Sequence, residues 1–191
     1  MSNQLLNQTE DTVHEVERQI VALHLGNEIY GIDIAHIHTI IVPQAITHVP
    51  KAPEFVKGVM NLRGRIIPVL DLRERFGMPP LAPERIKNTR IVIVDVEGLT
   101  AGLIVDGVSE VLRLTASAIQ APSQLVASVE TECITGIGRI KAHRDQSQLK
   151  TGAGQAEVDT SSEDQLIILL DIHKTLTINA KDIDTLTSKA A

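Results

Sequence analysis

His36 and His38 stand two residues apart, a spacing that on a strand turns both imidazoles to one face and could begin a metal site. No third ligand at a recognisable spacing accompanies them, so a surface pair is the simpler reading. Cys133, the only cysteine, lies in the apolar stretch Glu132-Cys133-Ile134, where a buried inert thiol fits better than an activated nucleophile. A single cysteine closes no intramolecular disulfide and supplies no multi-thiolate zinc site. Asp71 and Asp171 each follow an apolar run and precede a short helical pattern, which suits a helix cap better than a catalytic acid. Asp106-Gly107 reads as a turn, and the glycine spacings match no phosphate-binding loop. Arg63 precedes Gly64 at an expected hairpin tip, where a guanidinium with several donors can reach a partner's carboxylate or carbonyl. An Arg at a tip is more often simply solvated, so these residue types show no catalytic arrangement and leave a binding role open, and no cofactor is expected.

The wider composition narrows the binding classes. The 191 residues carry 18 Lys and Arg against 24 Asp and Glu, a net charge of −6, which disfavours phosphate-backbone recognition. Tyr30, Phe55 and Phe76 are the only aromatics, so base stacking is nearly unavailable and no nucleic-acid partner is expected. The longest aliphatic run, Leu166 to Leu170, is far short of the roughly 20 residues of a membrane helix, and the amino terminus lacks a basic region followed by an apolar one. A cytoplasmic protein without direct membrane insertion is expected. Core volume comes from Ile, Val and Leu, and the stiff β-branched residues among them favour pleated surfaces.

Along the chain, residues 1–18 are polar and acidic and read as a flexible tail, with a second tail at 179–191. Between them, short apolar runs are separated by turn residues. Strands are expected at Ile20 to Leu25, Ile29 to Ile34, Ala45 to Val49, Ile66 to Leu70, Arg90 to Val96, Leu99 to Val105 and Gln165 to Leu170. Ile34, Ile37, Ile40 and Ile41 fit a short helical turn leading into a strand. An internal repeat relates Val69-Leu70-Asp71-Leu72-Arg73 to Leu169-Leu170-Asp171-Ile172-His173, with Lys57-Gly58-Val59 and Thr135-Gly136-Ile137 upstream. It predicts two similar halves, each a small closed or nearly closed sheet with a capped helical turn. The second copy carries a polar insertion, a long loop at about 141–164.

Three segments then carry a family resemblance: Gly31-Ile32-Asp33-Ile34, the run Phe55 to Arg73 and the run Gly102 to Leu112. They resemble the CheW-type coupling proteins of bacterial chemotaxis, from about Gln19 to Ile178. The resemblance implies an all-β fold with short helices, as two SH3-like five-stranded β-barrel subdomains packed around a shared hydrophobic core. It also implies a non-catalytic adaptor that joins the cytoplasmic hairpin tip of a methyl-accepting chemoreceptor to the regulatory domain of the chemotaxis histidine kinase. Such a protein would sit in the cytoplasm at membrane-bound receptor arrays, with self-association in rings as a further expectation. By the same resemblance, Arg63 is a partner contact, and Ile37, Thr39, Ile40, Gly58, Val59 and Val111 belong to the receptor or kinase surface. Gln120 and Leu125 would form a second kinase or ring contact. Many members carry Glu in the segment matching Ile37 to Ile40 where this chain has Thr39, so an acidic partner for Arg63 is missing there. Thr39 and the long loop leave room for an alternative: the scaffold of a different array, such as one controlling surface motility.

Overall fold

A computed structural model describes residues 17–81, 83–122, 132–141 and 164–177. Among these residues, eleven strands form two sheets. In chain order they are β1 (Glu17–Leu25), β2 (Glu28–Asp33), β3 (Ile37–Ile41), β4 (Val56–Leu62), β5 (Arg65–Asp71), β6 (Arg90–Val96), β7 (Leu99–Val105), β8 (Gly107–Thr115), β9 (Ile119–Gln120), β10 (Ile134–Lys141) and β11 (Asp164–Leu170). One sheet runs β3-β6-β7-β5-β4, and the other runs β8-β1-β2-β11-β10-β9. The second sheet thus has six strands rather than five, because the two-residue β9 pairs onto its edge. Two residues assigned to the 1–18 tail belong to β1 instead, and residues 1–16 lie outside the described residues. Glu17 and Arg18 pair with β8, and the Arg18 guanidinium bonds the Asp33 carboxylate at 3.0 Å.

The two sheets share one plan. In each, an antiparallel hairpin (β4-β5 or β10-β11) lies parallel to the next strand (β7 or β2), which is antiparallel to a fourth (β6 or β1). The register shifts fall at the same place, between Val56 and Gly58 and between Ile134 and Gly136. Five strands of one sheet are contiguous in sequence. The other sheet is assembled from β1 and β2 together with β8 to β11, so the two halves are intertwined.

Asp71 closes β5, Asp171 directly follows β11, and each caps the helix that comes next. α1 (Leu72–Arg75) has Asp71 Oδ1 accepting from the backbone N–H of Arg73 and Glu74, and α2 (Ile172–Leu176) has Asp171 Oδ1 accepting from Lys174 N–H at 3.1 Å. These bonds satisfy first-turn amides that have no partner within the helix.

The long apolar runs find their reason in the core. Alternate residues of one strand enter different clusters. On β1, Val21, Leu23 and Leu25 join a core shared by both sheets, whereas Ile20 and Ala22 fill the interior of their own sheet. On β6, Val92 and Val94 join the shared core, whereas Ile91 and Ile93 fill the other sheet's interior with Met60, Ile67 and Val69. Both faces of these strands are buried, which is why the sequence shows no polar alternation there. The stacked rings of Tyr30 and Phe76, 5.5 Å apart, lie against this shared core.

The expected strand Ala45 to Val49 is reduced to a single bridge. Thr47 and Val59 exchange two backbone hydrogen bonds, of 2.8 and 2.9 Å. The segment crosses the outer edge of β4, where it occupies one position of an otherwise open ladder. Gly58 makes that crossing feasible. Its φ is +139°, and an added Cβ would collide with the Thr47 carbonyl.

Candidate interaction surface

The β4-β5 hairpin turns through Arg63 and Gly64, with Leu62 opposite Arg65. Both turn residues have positive φ, +53° and +87°, the two-residue turn whose twist matches the strands it joins. Asn61 Oδ1 accepts from Gly64 N–H at 2.8 Å and pins the turn. Arg63 pays a conformational cost for a position that Asn or Gly fills freely. The β6-β7 hairpin repeats the arrangement with Glu97 and Gly98.

Closure of the five-stranded sheet brings the hairpin tip to the opposite edge strand. A cavity of about 110 Å³ is lined by His38 and Thr39 of β3, by Leu62, Arg63, Arg65 and Ile67 of the hairpin, and by Asp95 and Thr100 of β6 and β7. It is the mouth of a barrel, since every strand of the sheet contributes. Asp95 Oδ2 accepts from Thr100 Oγ1 at 2.8 Å. Neither Arg63 nor Arg65 has an ion-pair partner among the described residues. The mouth therefore presents two exposed cations beside one hydrogen-bonded carboxylate, an arrangement suited to an acidic group on a partner.

The structure brings together only some of the expected contact residues. Thr39 and Arg63 line the same cavity. Gly58 and Val59 lie on β4, beneath the Thr47 bridge, with Gly58 buried and Val59 half-buried. Ile37 packs against the shared core, whereas Ile40 on the same strand is exposed. Val111 is exposed on β8, opposite Val21, in the other sheet. Gln120 is exposed on β9, at the far edge of that sheet from β8. Leu125 and the expected loop interior, 142–163, lie outside the described residues. His36 ends a 3-10 turn (Ile34–His36) while His38 lies in β3, so the two do not share the strand register expected of them.

Two features escape a reading of the sequence. Asp95 and Thr100 join Arg63 and Arg65 only through barrel closure. An Asp interrupting the apolar run Ile91-Val92-Ile93-Val94-Asp95 was the available signal. Asp106 is more than a turn residue, because its buried carboxylate accepts from Gly26 N–H at 2.7 Å and pairs with Arg73. Arg73 Nε in turn donates to the Pro79 carbonyl at 2.9 Å. One buried pair thus links α1, the β1-β2 turn and the crossing from β7 to β8. Cys133 is buried, and that burial raises its thiol pKa even though Arg75 lies close by. Among the described residues, no helix is long and apolar enough to cross a membrane.

The family described as CheW-like domain matches residues 19–180. The chain is 37% identical to the chemotaxis protein CheW of Klebsiella aerogenes over 125 residues, which is 65% of this chain and 74% of that protein. It is 32% identical to Protein PilI of Pseudomonas aeruginosa over 88 residues, 46% of this chain and 48% of the relative. Among solved structures, that of the scaffolding protein TtCheW from Thermoanaerobacter tengcongensis superposes with a TM-score of 0.68 at 35% identity, covering 87% of this chain and 97% of that one. With the match spanning both intertwined barrels and their common core, the chain belongs to the CheW-like domain family.

Proposed function

We propose that this protein is a non-catalytic coupling adaptor, which holds a chemoreceptor's cytoplasmic hairpin tip and the regulatory domain of the chemotaxis histidine kinase at fixed geometry. It would do so in the cytoplasm, at membrane-bound receptor arrays. Such a protein works through binding free energy alone: a receptor change alters the kinase's conformational equilibrium because both are held on one body. The observation that carries this reading is the barrel mouth, where Arg63 and Arg65 are exposed without an ion-pair partner among the described residues. Two cations at a pinned tip offer forked donors to a partner's carboxylates. Exposed Ile40 and Val111 add apolar contact area. The chemotaxis assignment is favoured over the scaffold of a different array because the match to the chemotaxis protein CheW of Klebsiella aerogenes covers 74% of that relative at 37% identity.

Calorimetric titration with the isolated kinase regulatory domain from the same genome tests the reading. Saturable 1:1 binding is expected, weakened about tenfold by Arg63→Ala through loss of charge-assisted hydrogen bonds, with the unfolding free energy unchanged. Undiminished binding by the variant would remove Arg63 from the contact. Absence of binding to any such domain in the genome would overturn the kinase assignment.

A further inference from the structure

A second cleft, of about 510 Å³, opens between the β1-β2 turn, the 3-10 segment Pro83–Asn88, the start of β6 and the start of β8. Its chemistry runs against the protein's net charge of −6, because Arg85 and Arg90 both line it. Arg85 Nη1 donates to the Gly26 carbonyl at 3.3 Å, and Arg90 Nη1 donates to the carbonyls of Thr89 at 2.7 Å and Lys87 at 3.2 Å. Neither guanidinium meets a carboxylate among the described residues, and their other nitrogens have no acceptor there. Asp106 also lines the cleft, but its carboxylate is already engaged by Arg73 and by Gly26 N–H. Among the described residues the local balance is therefore cationic, with spare forked donors on two side chains that backbone carbonyls hold in place.

Size and lining select the class of ligand. The volume falls within the roughly 300–1,000 Å³ typical of small-molecule sites. Val108 is the only aliphatic side chain in the described lining, so the cleft lacks the apolar anchor that a bound peptide needs. Arginine forks match phosphate oxygens two at a time. The Asn88 amide supplies one donor and one acceptor group for an uncharged portion of the ligand. We infer that this cleft binds a compact organic phosphate of nucleotide size, with Arg85 and Arg90 clamping the phosphate. The inference is independent of the barrel mouth and of the adaptor reading.

Calorimetric titration of the full chain with ADP, at about 0.15 M ionic strength so that non-specific attraction is screened, is the test. Inorganic pyrophosphate and a ten-residue glutamate peptide serve as comparisons. Saturable ADP binding is expected, tighter than pyrophosphate and at least about tenfold weaker in Arg85→Gln/Arg90→Gln. Should the half-buried Arg90 prove necessary for folding, Arg85→Gln and Asn88→Glu change exposed residues and are expected to weaken ADP as well. No saturable ADP binding, binding that the variants leave intact, pyrophosphate binding as tight as ADP, or binding of the glutamate peptide in place of ADP would each overturn the proposal.

Discussion

The Arg73 guanidinium, in the first turn of α1, pairs with the Asp106 carboxylate at the crossing from β7 to β8, and the two side chains are only 12% and 7% exposed. Water screens such a pair weakly, and removing one member leaves the other charged, buried and unpaired. Asp106→Ala also strips Gly26 N–H of its acceptor. Urea denaturation should show a loss of about 3 kcal/mol for Asp106→Ala, and a smaller loss for Arg73→Met/Asp106→Leu than the two single changes sum to. Additive costs would mean that the pair is not coupled.

Gly58 and Gly64 separate steric collision from backbone preference. Both have positive φ, but a Cβ at Gly58 meets the Thr47 backbone, while one at Gly64 meets open space. Gly64→Ala should cost about 1 kcal/mol and Gly58→Ala at least about 3 kcal/mol, because the crossing segment must move. Equal thermal shifts in the two variants would show that the bridge yields readily.

Burial raises the pKa of the Asp71 carboxyl above its usual 3.8, against the opposing pull of the Glu74 backbone N–H. The folded state therefore holds this proton more tightly than the unfolded chain does. Its contribution is greatest in acid and declines as pH rises from about 3.8 through the folded value. Asp71→Asn retains an acceptor for the cap without a buried charge. Its stability relative to the parent should improve as pH is raised from 3 to 6, and a difference that stays flat would contradict the sign.

Cys133 is 4% exposed, and burial holds its pKa up, so little thiolate forms and little of it is accessible. Ellman's reagent at mildly alkaline pH should leave the native protein unmodified and titrate one thiol in urea. Rapid native-state reaction would indicate that β10 and α2 open readily around it.

How much of this was legible depends on the range of the interaction. β6 and β7 were readable to the residue, because Glu97-Gly98 marks the turn between two apolar runs. The caps at Asp71 and Asp171 were readable from the repeat, since the acceptor and its amides lie within three residues. Strand partners were not. β1, buried on both faces, carries no alternation to say that β8 is its neighbour. Arg63 was found because a hairpin tip is local, whereas Asp95 reaches the same cavity through barrel closure, which no short window encodes. Asp106 looked like a turn residue for the same reason, as its partner Arg73 lies on another element.

The intertwined strand order has a kinetic consequence. During synthesis, β3 to β7 can pair as soon as they emerge, but β1 and β2 are made first and find their neighbours β8 and β11 only late, with β11 last of the described strands. Ile20, Ala22 and Ile29 must wait uncovered through that interval, with the edge of β2 unfilled. Loop closure over such separations is slow and exposes aggregation-prone surface. Refolding should therefore proceed in two stages, with the five-stranded barrel forming first and the six-stranded one limiting the rate.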